Sequence, residues 1–227
     1  MNRRQYLVAS GVAGASAMFA GCLSGNDEYD VYETNGQEVP LAPAEDTYEW
    51  YEDDEAIFLD ARSPMEYVQG HIAGALLSPA GDSSFDHPTD DISTDQRLVT
   101  YCVCPHDLAG TRAAELMNDG FEDVYAIDEG LLEWRDNGYP MDSGGEAAPT
   151  FDYHVAGRTD QSFAGEQVWL EELETGQRYV AHVGDDGRFE MEFTFYDVDA
   201  ETAARLDLPD RSVERTLGEL SDGELRF

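Results

Sequence analysis

Residues 59–75 read LDARSPMEYVQGHIAGA, and the local structure of the first half of the chain follows from them. The apolar run 56–59 predicts a buried strand that ends at Asp60. Pro64 opens a helix and Gly70 closes it, as proline at a helix start and glycine past its end require. Arg62 and Glu66 are placed to pair across this strand-to-helix turn. Gly70 and Gly74 supply tight turns, and a further short strand covers 74–77. The pattern repeats outward. A short edge strand at 39–41 tolerates Pro40, and a first helix covers 43–54. Residues 83–95 are polar and irregular. A strand at 97–101, a helix at 109–118, a strand at 124–127 and a helix at 131–137 follow, with Gly120 and Gly138 as helix stops. Strands alternating with helices predict an α/β domain with a central parallel sheet over 39–142.

The chain has 227 residues, with 49 acidic against 13 basic side chains and a net charge of −36. It contains no lysine. A hydrophobic content of 41%, with twelve tyrosines and ten phenylalanines, supplies a core that a disordered acidic chain lacks. Folded, lysine-free and this acidic, the chain resembles proteins of salt-loving archaea. In their brine the Debye length is about 3 Å or less and self-repulsion is screened. The charge argues against a nucleic-acid partner. Three cysteines are too few for a disulfide framework.

Residues 1–22 place Arg3 and Arg4 before a short run of small and mildly apolar residues that ends at Cys22. The run is too short and too weakly apolar to span a membrane. The twin arginine resembles a Tat export signal. The approach to Cys22 resembles a lipobox, which implies lipidation there and an anchor on the outer face of the cell membrane. Residues 23–38 are acidic and polar, and are expected to be a tether.

Residues 101–114, YCVCPHDLAGTRAA, hold the other two cysteines on the turn between a strand and a helix. A cysteine there can lie at a helix N-terminus, where unpaired N–H groups and the helix dipole favour thiolate. Cys104 can resolve a sulfur adduct on Cys102, join it in a strained, easily reduced disulfide, or simply pack. With His106 the two cysteines offer ligands to a thiophilic metal, at a spacing that does not decide it. His106 can equally be a solvated loop histidine.

The stretch Leu59-Asp60-Ala61-Arg62 to Gly70-His71-Ile72-Ala73-Gly74-Ala75 resembles the signature of rhodanese-like domains. The later Gly120-Phe121, Val124-Tyr125, Gly130-Leu131, Trp134 and Gly138-Tyr139-Pro140 fit it too. The resemblance implies a structural ring for His71, scaffold roles for Asp60 and Arg62, and no cofactor. It also implies sulfurtransferase chemistry through a persulfide on Cys102, the family's cysteine position. Three departures stand against a thiosulfate site. Arg112 lies ten positions beyond Cys102, Asp107 brings an acidic group into the loop, and Asp128-Glu129 replaces small residues before the last helix. The loop is similar to a Y-C-x-C-P-[NH]-[ED] variant found in some rhodanese-like domains. Arg112 can point into the loop or lie exposed on the helix. Three readings stay open: a surface-tethered sulfurtransferase whose sulfur donor and thiol acceptor are unspecified, a non-catalytic module that binds a partner, and a thiol–disulfide module using Cys102 and Cys104. Phosphatase chemistry is disfavoured, because oxyanions want positive charge.

Residues 143–150 form a linker by composition, and 151–227 read as a small antiparallel β-sandwich-like domain. Phe189, Met191, Phe193 and Phe195 share one face at period 2, after a turn at 185–187. The tract resembles carboxypeptidase-regulatory or transthyretin-like repeats. A helical piece is expected at 200–206 and a strand at 224–227. His154 and His182 lie on strands and are expected to be surface or sheet-packing residues rather than a metal pair. Trp169 is expected in the core. This domain is read as an interaction or stability module.

Overall fold

The computed structural model describes residues 29–103, 106–143 and 148–227. The expected export signal, Cys22 and Cys104 lie outside these. Two strands come first, β1 (Val31–Thr34) and β2 (Gln37–Ala42). Then follow α1 (Ala44–Glu52), β3 (Ile57–Asp60), α2 (Pro64–Gln69), β4 (His71–Ile72) and β5 (Leu76–Leu77). After a 3-10 turn at Pro88–Asp91 come β6 (Leu98–Tyr101), α3 (Asp107–Asn118), β7 (Val124–Ile127), α4 (Gly130–Asp136) and β8 (Met141–Asp142). The C-terminal region contains β9 (Thr150–Arg158), β10 (Gln167–Glu172), β11 (Arg178–His182), β12 (Arg188–Tyr196), β13 (Ala203–Leu208), β14 (Arg211–Thr216), α5 (Leu217–Leu220) and β15 (Glu224–Arg226).

The first domain is built on a six-stranded sheet in the order β1-β2-β7-β6-β3-β5. It is parallel except for β1, which runs antiparallel to β2, so the sheet is mixed. Residues 31–38 are therefore not a tether but most of a hairpin. Asn35 and Gly36 take φ of 49° and 76° at its tip, the left-handed pair that a two-residue hairpin turn demands. The acidic, polar composition hides the strand. Its folding rests on Tyr32, whose ring occupies the space that a Cβ on Gly110 would fill, 2.4 Å from the nearest ring carbon. The hairpin also moves β2 off the sheet edge. Pro40 is tolerated because β2 meets β7 only from Leu41 onward.

Both faces of the sheet are covered, as a parallel sheet requires. Leu41, Leu59 and Leu98 pack beneath Ala109, Ala113 and Leu116 of α3. Phe58, Val99 and Ile127 face the other way, toward Ala44, Leu131 and Trp134 of α1 and α4. The turn after β3 keeps the expected helix start at Pro64, but Glu66 is drawn to Ser63 rather than to Arg62. Ser63 and Glu66 form a reciprocal capping box, with Pro64 in the first turn of α2.

The second domain stacks a four-stranded sheet, β11-β10-β13-β14, against a three-stranded one, β12-β9-β15. Val155, Met191, Phe193 and Phe195 meet Leu170, Ala204 and Leu206 between them. The helix expected at 200–206 is absent. Ala204, Leu206 and Leu208 are buried alternately in β13, paired to β10 and β14. Ala-Ala-Arg-Leu favours a helix locally, and two flanking strands outweigh that preference. β15 adds to β9 in parallel.

The two domains share a core. Val180 of β11 is fully buried with the first-domain cluster, and Trp169 of β10 packs on the same cluster. The Trp169 ring lies 2.6 Å from where a Gly81 Cβ would stand. Gly81, at φ 69°, therefore has both a turn and a close approach to serve.

Candidate active site

Cys102 follows β6, the central parallel strand, and is 1% exposed. Its carbonyl accepts a hydrogen bond from the Leu131 N–H at 2.8 Å, which ties the start of the loop to α4. Two residues earlier, in the strand, Thr100 Oγ1 donates to the Ala109 carbonyl at 2.8 Å and fixes α3 against β6. Helix α3 starts at Asp107, two residues before its expected start, and His106 just ahead of it holds φ at 79°.

Cys102 forms part of the wall of a cavity of about 600 Å³ between the two domains. The first domain contributes Arg62, Glu66, Val103, Leu108 and Leu132. The second contributes Asp152, Tyr153 and His154 from β9, Arg178 and Tyr179 from β11, and residues 192–196 from β12. The aromatic face read at period 2 in Phe193 and Phe195 thus serves both the sandwich core and this wall. Arg178 and Tyr153 carry no local signal that singles them out. Only the packing of one domain on the other brings them to Cys102.

Asp60 and Arg62 form a buried ion pair, with Arg62 Nη2 to Asp60 Oδ2 at 2.6 Å and Nε to Oδ1 at 2.8 Å. Arg62 Nη2 also donates to the Gly70 carbonyl at 2.7 Å, closing the α2 turn. Burial works against the Arg62 charge, but the Asp60 carboxylate outweighs it and holds the guanidinium protonated more firmly than usual. Arg62 pairs with Asp60, while Glu66 serves the capping box. Burial raises the Glu66 carboxyl, and Arg62 and Ser63 oppose the rise.

Arg112 is neither exposed nor directed at Cys102. It is buried on α3, donating to Ser78 Oγ at 2.9 Å and to Glu115 at 3.0 Å. Its helical position turns it toward the 78–89 segment, so it acts in the scaffold. Both expectations for Arg112, that it acts with Cys102 in the loop or lies exposed on the helix, are corrected by this geometry. Asp107 likewise faces away from the cavity. It accepts hydrogen bonds from Tyr179 Oη at 2.9 Å and Tyr32 Oη at 3.2 Å. Burial raises its carboxyl, and the two tyrosines partly offset this. His106 reaches Asp128 at 2.7 Å. His71 stacks on Tyr67, with ring centroids 3.7 Å apart, in the structural role expected of it.

The two strand histidines are not brought together. His182 bridges the domains through Tyr32 Oη at 3.3 Å and Thr34 Oγ1 at 3.2 Å. His154 is exposed, and it groups with Glu190 and Glu192, their ligand atoms lying within 4.8 Å of one another. That is the one cluster of metal-ligand type among the described residues, and its members are all exposed.

His182, bonded to Tyr32 and Thr34 across the interface, is expected to make the stability of the chain depend on pH. Burial lowers its pKa, and Asp107 opposes the shift. The unfolded chain therefore takes up this proton at higher pH than the folded chain. The stability it confers above the ordinary histidine range is lost as pH falls through that range. Asp107, raised in the folded state, acts with the opposite sign and in the lower carboxylate range. His182→Gln is expected to flatten the fall of the melting temperature between about pH 7.5 and 5.5; an unchanged slope would show that another group is responsible.

Comparison with known proteins agrees with this geometry. The Rhodanese-like domain model matches residues 43–137. The thiosulfate sulfurtransferase GlpE of Pseudoalteromonas translucida is 32% identical over 90 residues, 39% of this chain and 82% of that protein. GlpE of Pseudomonas putida is 32% identical over 109 residues, 47% of this chain and 93% of that protein. The HTH-type transcriptional regulator Rv0324 of Mycobacterium tuberculosis is 31% identical over 90 residues, 40% of this chain. The chain spans only 39% of that regulator's length. With its first domain aligned to nearly the whole of a small sulfurtransferase, and Cys102 after the central strand, this chain belongs to the rhodanese-like domain family.

Proposed function

We propose that the protein is a sulfurtransferase that carries sulfane sulfur as a persulfide on Cys102. The observation that carries this reading is the place of Cys102, at the end of the central parallel strand and in the wall of an interdomain cavity. The names of the sulfurtransferase relatives support it. In the first step the Cys102 thiolate attacks the outer sulfur of a donor. The donor's S–S bond breaks, and its remnant leaves with the electron pair. In the second step an acceptor thiolate attacks the outer sulfur of the persulfide and regenerates the Cys102 thiolate. Burial of the persulfide shields it from adventitious thiols.

The reading includes export and a lipid on Cys22, on the strength of Arg3-Arg4 and the small residues before Cys22. It also includes work in concentrated salt, on the strength of the acidic, lysine-free composition.

Intact-mass analysis in molar salt tests the reading. After exposure to inorganic polysulfide, the protein should gain the mass of one sulfur, and Cys102→Ser should not. A mass lower by two hydrogens, mapped to a Cys102–Cys104 bond with no sulfur gained, would favour disulfide chemistry. The same spectrum, taken on protein isolated from membranes, reads whether Cys22 carries a lipid.

A further inference from the structure

We infer that the C-terminal domain makes the Cys102 site selective for a sulfur carrier with an apolar, ring-sized organic body, over a small inorganic dianion such as thiosulfate. The inference rests on the Cys102 reading above and names the class of donor that reading leaves open.

Size is the first argument. A cavity of about 600 Å³ matches sites that enclose an organic ligand, and far exceeds what a thiosulfate ion fills. Lining is the second. Tyr153, Tyr179 and Phe193 all reach this cavity from the second domain. Phe193 lies 5.8 Å from Tyr153, 5.5 Å from Tyr179 and 4.6 Å from Phe195, centroid to centroid. This aromatic wall offers stacking and apolar burial to a ring. The first domain adds Val103, Leu108 and Leu132.

Charge is the third argument. Two arginines line the cavity, and each is already held by carboxylates. Arg62 is paired with Asp60, and Arg178 bridges Glu171 at 2.8 Å and Asp82 at 3.6 Å. Glu66, Asp152 and Glu192 add acidic groups to the same wall. Arg112 is turned to Ser78. A dianion entering here meets committed cations and several carboxylates, in a chain whose net charge is −36. Molar salt weakens this repulsion but supplies no binding to replace it.

A matched pair of donors isolates the organic body. Benzenethiosulfonate and methanethiosulfonate carry the same single charge and the same sulfane sulfur. With either, the Cys102 thiolate attacks the sulfane sulfur and the S–S bond breaks. The sulfinate leaves with the electron pair, and Cys102 keeps the sulfur as persulfide. Loading of the full-length protein is followed by intact mass in molar salt, and each rate is divided by that for free cysteine. The normalised preference for the aryl donor is expected to be about tenfold or more, and Tyr153→Ala is expected to lower it several-fold. Benzenesulfinate, which transfers no sulfur, is expected to inhibit loading by the aryl donor competitively at concentrations where methanesulfinate has no effect. This inhibition needs no variant, so it tests the inference even where Tyr153→Ala folds poorly. Equal normalised rates, with no inhibition by benzenesulfinate, overturn the inference while leaving Cys102 as the sulfur carrier. Loading by neither donor, with loading by inorganic polysulfide retained, overturns the inference alone; loading by none of the three overturns both.

Discussion

Arg62→Ala is expected to destabilise the folded chain by about 3–5 kcal/mol, enough to leave much of a marginally stable domain unfolded. The substitution removes both nitrogens that contact Asp60 and the donor to the Gly70 carbonyl. Asp60 is fully buried. It would keep the backbone N–H at position 62, 3.0 Å from Oδ1, and the Tyr101 hydroxyl, but lose the guanidinium that balances its charge. Salt is the discriminating variable. Exposed pairs such as Arg211–Asp210 are screened in molar salt, whereas a buried pair is screened much less. Denaturant unfolding in molar salt should therefore show the full loss for Arg62→Ala and almost none for Arg211→Ala. The double variant Asp60→Leu/Arg62→Met removes the unpaired charge and should recover a large part of the loss. Similar small losses for Arg62→Ala and Arg211→Ala would mean that the Asp60–Arg62 pair does not organise the α2 turn.

Val180→Asp is expected to undock the second domain, at a cost of about 3 kcal/mol or more. Val180 is a second-domain residue with no solvent exposure, and its neighbours belong to the first-domain core. A carboxylate there has no partner among the groups that surround it, so the interface yields before either core does. Calorimetry should then resolve two transitions where the parent chain shows one. Peptide mapping should show faster alkylation of Cys102, because the cavity loses the wall that β9, β11 and β12 supply. A single transition at the parent midpoint, with Cys102 still protected, would rule out this account of the interface. The hydrogen bonds of Tyr179 to Asp107 at 2.9 Å, of His182 with Tyr32 and Thr34, and of Gln167 to Thr111 at 3.1 Å cross the same interface. They are expected to be lost together with the apolar contact.

These expectations divide according to how local their causes are. The stretch 59–75 is legible because its determinants are neighbours in sequence. Ser63 caps with Glu66, Asp60 bonds Arg62, and Arg62 reaches Gly70. The hairpin at 31–42 was hidden because its acidic residues face water. Its reason to fold, Tyr32 against Gly110, lies far away in the chain. At 200–206 a local helical preference met two waiting strands and lost. Arg112 had two readings from sequence, and neither included Ser78, which only the folding of the sheet brings beside α3.

By itself the sequence determined an α/β domain with Cys102 on the turn between one of its strands and the next helix, and a β-rich second domain with an aromatic face. Periodicity, turn residues and short-range side-chain pairs suffice for that, since each acts over a few residues. Only the tertiary structure decided what surrounds Cys102. Asp107 is turned into the domain interface, Arg112 is used in the scaffold, and Tyr153, Arg178 and Phe193 become walls of the cavity. The physical reason is that a site between two domains is set by how their buried surfaces fit. Val180 and Trp169 fix that fit through contacts with residues distant in the chain, which local pattern does not encode.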